Sequence, residues 1–253
     1  MKKRLLSILM VTAMCATMVV GCGTADDTKD SSSSSKGKSD YLVGFANNSD
    51  TYNYCAKFRS YLKDATEAKG ISITVTDAGK AQGEYLCDAF PDGASILYFT
   101  GAPNDQQYVD RKKGLEEALK KNPNIKILDE YNVENSKDLG MSTAEDSLLS
   151  YDKIDAIVCQ NDDGALGVVE ALKSAGKLDS IQVLGIDGSD DALQSIQDGE
   201  MTMTALQDAK AQAEAGADIF EKLKKGTDPA DIEDVNIPFK IVTKDNVADY
   251  LSK

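Results

Sequence analysis

Polar side chains that could bind a small ligand follow two predicted strands in the middle of the sequence. Asn161 comes two residues after the apolar run that ends at Cys159, and Asp187 directly follows the run that ends at Ile186. The segment between them has a helical pattern that ends at Gly176, so the unit is a strand, a crossover helix and a parallel strand. In an open α/β sheet, small ligands bind at the carboxyl edge of the strands. The spacing therefore predicts a ligand site at Asn161 and Asp187.

The composition excludes several kinds of catalytic chemistry. The 253 residues include no histidine, so the commonest general base and transition-metal ligand is missing, and with it any Ser-His-Asp or Cys-His arrangement. The sequence contains neither a GxxxxGK[ST] phosphate loop nor a CxxC pair. The net charge of −14 argues against nucleic acid or an anionic membrane surface as a partner. We expect a binding protein and not an enzyme, with no metal and no cofactor.

The first forty residues have the pattern of an export signal and a tether. Residues 1–22 join a basic start to an apolar run and end in Gly21-Cys22, which resembles the cleavage box of bacterial lipoproteins. This resemblance implies that Cys22 is lipidated, with ordinary secretion as the alternative. Residues 23–40 are rich in serine and charge and bury too little apolar surface to offset the entropy of ordering, so we expect a disordered linker.

Strands and helices alternate over residues 41–253, which predicts an α/β fold with a mainly parallel sheet. The predicted strands are 41–46, 71–76, 94–100, 125–128, 154–159, 181–186, 202–206 and 237–242. The predicted helices are 55–69, 81–90, 106–121, 136–149, the helix that ends at Gly176, 190–198 and 209–225. Helical spacing predicts that Val109 and Leu115 face the core from one helix and Leu139 from the next.

Three segments of the body resemble one protein family. They are Gln160-Asn161-Asp162 with Ala165-Leu166-Gly167, then Val183 to Gly188, then Asp198 to Met201 followed by Thr204 to Asp208. In this order they resemble the sugar-binding proteins of ABC importers, the ribose- and galactose-binding group with the type I periplasmic binding fold. The resemblance implies two Rossmann-like lobes with mainly parallel sheets and a cleft that closes on a small polar ligand.

The resemblance also implies which side chains contact the ligand. In the second lobe they are Arg111, Asn161, Asp187, Gln207 and, as a looser match, Asp105, and in the first lobe Asp50, Tyr52 and Tyr54. Carboxylate, amide and guanidinium groups suit the hydroxyls of a sugar, and tyrosine offers a stacking face. Simpler interpretations need no ligand: Asn161 could serve just as a helix cap, and Asp187 could just form part of a turn.

The first lobe departs from the family pattern. Members of the family carry on the order of 60 further residues, one or two βα units, between the region at 77–79 and the helix that contains Gln82, and here Lys80 runs straight into Ala81. We therefore expect a truncated first lobe at 41–92, to which later segments contribute, a second lobe mostly within 93–207, and closing segments at 208–253. A deletion variant, a gene-model error and a reduced protein all remain open.

The expected function is extracytoplasmic capture of a monosaccharide or related polyol. The partners implied by the resemblance are an ABC permease and its ATPase, with the membrane reached through a lipid on Cys22, no nucleic acid, and a monomeric protein. One alternative is a sensor that presents its bound state to a membrane receptor, and another is a defective variant that no longer binds. A transcriptional regulator of related fold fits less well, because residues 1–40 offer an export signal and no helix-turn-helix.

Overall fold

The computed structural model describes residues 78–103, 106–227, 231, 235 and 237–251. The strands are β1 (Ala94–Thr100), β2 (Ile125–Asn132), β3 (Ala156–Cys159), β4 (Gln182–Asp187), β5 (Met203–Leu206) and β6 (Lys240–Thr243). The helices are α1 (Ala78–Ala89), α2 (Gln106–Leu119), α3 (Lys137–Ser150), α4 (Asp162–Ala175), α5 (Asp190–Asp198) and α6 (Ala209–Lys224), followed by a 3-10 turn at Val247–Asp249. Among the described residues, no helix has the length and apolar character needed to cross a membrane.

The six strands form one sheet in the order β2-β1-β3-β4-β5-β6. The first five strands pair in parallel, and β6 is antiparallel to β5. The predicted α/β class with a mainly parallel sheet is therefore confirmed. Since parallel strands all point the same way, the ends of β1 to β5 lie along one edge of the sheet, and the loops that follow them form one surface.

Alternate residues of the central strands enter two separate hydrophobic clusters. Ile157 and Cys159 of β3 belong to the cluster that includes Val168 and Leu172 of α4. Ala156 and Val158 of the same strand pack in the other cluster, with Leu86 of α1 and Leu115 of α2. The period of two in β3 shows that the sheet is covered on both faces, which explains why its strands are continuously apolar in sequence.

The edge strand and two helix faces differ from the sequence prediction. β2 continues to Asn132, four residues beyond the predicted end at Leu128, and its register against β1 shifts between Ile96 and Leu97. Val109 and Leu139, predicted to face the core, are 45% and 41% exposed. The strand β2 lies at the edge of the sheet, where one side is unpaired and polar residues are tolerated. Its apolar pattern therefore ends before its hydrogen-bonded pairing with β1 does.

Helix α1 packs directly on α2 and on the sheet. A Cβ on Gly79 would overlap the backbone carbonyl of Arg111, and one on Gly83 would lie 2.6 Å from the Cβ of Ala118. The side-chain amide of the buried Gln82 donates to the carbonyl oxygens of Cys159 and Gly185, at 2.9 and 3.0 Å. Helix α1 is therefore joined by close packing and hydrogen bonds to α2, β3 and β4, which carry Arg111 and Asp187.

Candidate ligand-binding site

Arg111 reaches from α2 across the carboxyl edge of the sheet to the ends of two strands. Its Nη1 donates to the backbone carbonyl oxygen of Gln160, which follows β3. Its Nη2 lies 3.5 Å from Oδ1 of Asp187, the last residue of β4, and the two side chains are 10% and 18% exposed. The close contact of α1 with the Arg111 backbone fixes the backbone position from which this side chain extends, so α1 helps to position the site.

Asp187 lies at the centre of the site in an unusual backbone conformation. Its φ is 128°, a region that residues with a side chain rarely adopt and that is concentrated at functional sites. The amide of Gln207 donates to its Oδ1 at 2.6 Å, and the backbone N–H of Asp162 also bonds to the carboxylate. Burial raises the pKa of Asp187, while Arg111 and Gln207 oppose that rise because both stabilise the charged form.

Asn161 caps the helix that follows β3. Its Oδ1 accepts from the backbone N–H of Gly164 at 3.0 Å, and its Nδ2 donates to the carbonyl oxygen of Asn135 at 3.2 Å. Arg111 binds the carbonyl of the residue before Asn161, and Asp187 binds the N–H of the residue after it. The structure therefore brings Arg111, Asn161, Asp187 and Gln207 together at one edge of the sheet, although the cap role alone would also account for Asn161.

Two residues of this edge escaped the sequence reasoning. Gln160 ties β3 to β1, since its amide nitrogen donates to the Tyr98 hydroxyl at 2.7 Å and its Oε1 accepts from the Gly101 N–H at 3.2 Å. Asn135 has a left-handed φ of 56°, and its side-chain oxygen is buried without a hydrogen-bond partner. The only sequence signal for Asn135 is its residue type, because asparagine tolerates the left-handed conformation better than most residues.

A cavity of about 390 Å³ opens beside Asp187 and Gln207. Its lining includes the start of α5 at Ser189 and Asp190, and the start of α6 at Asp208. Asp208 caps α6 by accepting from the Ala211 N–H at 2.9 Å and forms an ion pair with Lys240 at 2.7 Å. The wall of the cavity thus combines charged groups of both signs with apolar side chains such as Leu193 and Leu206.

Several predicted residues lie outside the described part of the chain. They are Asp105, Asp50, Tyr52, Tyr54 and the lipidation candidate Cys22. Among the described residues, no group of three or more aspartate, glutamate or cysteine side chains is placed to hold a metal ion.

The family follows from comparison with known proteins. Residues 71–228 match the periplasmic binding protein domain. The chain belongs to the periplasmic binding protein family. A xylitol-binding protein of Mycolicibacterium smegmatis is 30% identical over 175 residues, which are 67% of this chain and 48% of that protein. The ribose import binding protein of Salmonella typhimurium is 26% identical over 167 residues, 65% of this chain and 56% of that protein.

Structural similarity to a solved protein supports the same family. The ABC transporter solute binding protein of Bacillus halodurans, solved with bound myo-inositol, is 28% identical, with a TM-score of 0.65 over 71% of this chain and 62% of that one. The resemblance to type I sugar-binding proteins is therefore confirmed. This periplasmic binding protein spans about half to six tenths of the length of these relatives.

Proposed function

We propose that this protein captures a sugar or polyol non-covalently at the edge formed by Arg111, Asn161, Asp187 and Gln207. The observation that carries the proposal is the contact of Arg111 and Gln207 with the Asp187 carboxylate, beside the cap of α4. The positive charge of Arg111 and the negative charge of Asp187 balance each other. The site therefore offers hydrogen-bond donors and acceptors and does not require a charged ligand. Neighbouring hydroxyls of a sugar present the same mixture of donors and acceptors.

Asn135 joins the proposed site as a further contact. Its buried side-chain oxygen has no partner, and an unpaired buried acceptor costs about 1 to 3 kcal/mol. Because this oxygen has no accessible surface, a ligand hydroxyl would reach it and recover that cost only if a neighbouring side chain moved on binding. The backbone of Asn135 is already bonded to the Asn161 amide, so a ligand bound at Asn161 would come close to it.

The proposed cellular role combines three parts that the sequence predicts. The protein is anchored outside the cytoplasm through a lipid on Cys22, the segment 23–40 tethers the body, and the bound ligand passes to an ABC permease with its ATPase. No chemical step on the ligand is proposed. The names of the relatives support this role, since they include an import binding protein for ribose and an ABC transporter solute binding protein.

Titration calorimetry on protein expressed from the full 253-residue sequence tests the proposal. The ligands are myo-inositol, xylitol and D-ribose, and we expect at least one to bind with a Kd on the order of micromolar, about −8 kcal/mol. Asp187→Asn should weaken that ligand about 10- to 100-fold, since a bond to a charged acceptor contributes more than a neutral one. Asp179→Asn is the control, because Asp179 is exposed in the turn before β4, at the opposite end of that strand from Asp187, and should leave Kd within about twofold.

A second outcome of the same titration supports the defective-variant alternative. The chain spans only 48% to 62% of the relatives compared above, and one or two βα units expected in the first lobe are missing from its sequence. If none of the three compounds binds while the protein unfolds cooperatively, the capture proposal fails and the loss of first-lobe contacts becomes the better account.

A further inference from the structure

Asp162 begins α4 but its carboxylate points away from solvent into the sheet. The residue is 1% exposed, and both carboxylate oxygens accept hydrogen bonds. Oδ2 accepts from the backbone N–H of Ser189 at 2.8 Å, and Oδ1 accepts from the hydroxyl of Thr204 at 2.7 Å. Thr204 itself is fully buried, so neither side chain is placed to contact a ligand directly.

Thr204 completes the attachment of the turn that follows β4. Its hydroxyl oxygen accepts from the backbone N–H of Gly188 at 3.2 Å. Two consecutive N–H groups, those of Gly188 and Ser189, are therefore held by Thr204 and Asp162. A third bond joins the Asp162 backbone N–H to the Asp187 carboxylate.

This turn needs external support because its backbone is strained. Asp187 has a φ of 128° and Gly188 a φ of 73°, so the chain leaves the extended conformation abruptly at the residue that faces the site. Conformations of this kind cost about 1 to 3 kcal/mol at a residue with a side chain and persist only where surrounding contacts hold them. The bonds to Gly188 and Ser189 are such contacts.

The sheet also leaves room for the carboxylate of Asp162. A Cβ on Gly185 would overlap Asp162 Oδ1 and the methyl group of Met201. The carboxylate therefore occupies space that any residue larger than glycine at position 185 would take. Strand β4 thus accommodates a buried acid just before the turn that the acid holds.

We propose that Asp162 and Thr204 are positioning residues that hold the turn at 187–189, and so aim the Asp187 carboxylate at the ligand. The inference rests on the proposed capture function. Asp162 and Thr204 would then contribute to the affinity of the site although the ligand does not touch either of them. The role of Asp162 is distinct from that of its neighbour Asn161, which caps α4 through Gly164.

Matched threonine variants test this role. Thr204→Val removes the hydroxyl with little change of shape, and Thr204→Ser keeps it. Thr202→Val is the control, because Thr202 accepts from the Val183 N–H at 3.0 Å in the same way, at the opposite end of β4. With the best ligand of the calorimetric panel, we expect Thr204→Val to weaken binding about 10-fold, and Thr204→Ser and Thr202→Val to stay within about twofold of the unmutated protein.

Amide hydrogen exchange provides the second measurement. In Thr204→Val the Gly188 amide should exchange at least about tenfold faster than in the unmutated protein, while the Val183 amide keeps its rate; Thr202→Val should show the reverse. Unchanged Gly188 exchange, or equal weakening by the valine and serine variants at position 204, would overturn the positioning role. If the unmutated protein binds no compound of the panel, the capture function fails, and the exchange rates alone decide whether Thr204 holds the turn.

Discussion

Removing the charge of Arg111 should destabilise the protein mainly by leaving the Asp187 carboxylate buried without its cation. The two side chains are 10% and 18% exposed and their charged atoms are 3.5 Å apart. Breaking a buried ion pair by removing one partner costs about 3 to 5 kcal/mol, because the remaining charge stays desolvated. Gln207 and the Asp162 backbone still support Asp187, so we expect Arg111→Met to lower the free energy of unfolding by about 3 kcal/mol.

A double-mutant cycle separates this pair from the other contacts of each residue. Asp187→Asn leaves Arg111 bonded to the carbonyl oxygen of Gln160, and the double variant removes both buried charges at once. We expect a coupling free energy of about 1 to 2 kcal/mol, so that the double variant is more stable than the sum of the two single changes predicts. Urea unfolding at pH 7, followed by circular dichroism, measures each free energy by linear extrapolation.

The control for this cycle is an exposed ion pair. Lys121 and Glu84 lie closer, at 2.7 Å, but their side chains are 63% and 44% exposed. Lys121→Met should change the free energy of unfolding far less than Arg111→Met does, since exposed pairs contribute little. If Lys121→Met costs as much as Arg111→Met, or if the cycle is additive within about 0.5 kcal/mol, then burial of the Arg111–Asp187 pair is not what determines the effect.

Three further changes test other parts of the fold. Gly79→Ala should lower the free energy of unfolding by about 2 kcal/mol and also weaken ligand binding, because the added Cβ would push on the backbone of Arg111. Urea unfolding measures the first effect and calorimetry the second. A loss of stability without a loss of affinity would contradict the link to the site. Burial raises the pKa of Asp162 above its ordinary 3.8, so the folded state holds a proton that the unfolded state releases, and the contribution of Asp162 to stability should fall as the pH rises above about 4. Asp162→Asn should remove this contribution from the pH profile of thermal unfolding, and a profile identical to that of the unmutated protein would contradict the assignment. Leu115→Ala should cost about 2 to 5 kcal/mol and Leu149→Ala less than about 0.5, since Leu115 is fully buried and Leu149 is 88% exposed; similar urea midpoints for both variants would contradict the described packing.

Element positions could be predicted where local signals agree. The strand at 94–100 and the helix at 190–198 have the predicted bounds. The strand has the apolar run Ile96 to Phe99 at its centre and follows a turn with Gly93. The helix has Ser189 as its N-cap, with a hydrogen bond to the Ala192 N–H, and ends at Gly199 in the left-handed conformation. Caps and turn residues act within a few positions, so a single sequence is enough to locate them.

The remaining differences depend on contacts that are distant in sequence. Whether Val109 or Leu139 is buried depends on which neighbouring elements cover that part of its helix, and both lie where the described residues leave them exposed. The extension of β2 to Asn132 depends on backbone pairing with β1 and not on apolar side chains. Periodicity finds the apolar residues of an element, but it cannot say where the partner surface ends.

The site shows the same division between local and distant information. Asn161 and Asp187 could be placed at the sheet edge from strand order alone, whereas the assignment of Arg111 and Gln207 came from the family resemblance. Their contacts with Asp187 span 76 and 20 positions of the chain, respectively, and no periodicity encodes them. Asn135 was missed because its backbone conformation and its unpaired oxygen are both properties of the folded chain.

Within the part of the chain that the structure describes, the contacts that orient the site join residues between positions 79 and 207 of one body. The close approach of Gly79 locates the Arg111 backbone, and Gln207 and the Asp162 backbone hold the Asp187 carboxylate through contacts within the protein. A site whose groups are already oriented loses little conformational freedom on binding, so its contacts contribute more of their energy to affinity. Ligand contacts from outside this body would then add to an existing site and would not have to create it. It follows that Asp187→Asn should weaken binding by a similar factor whether or not such outside contacts contribute.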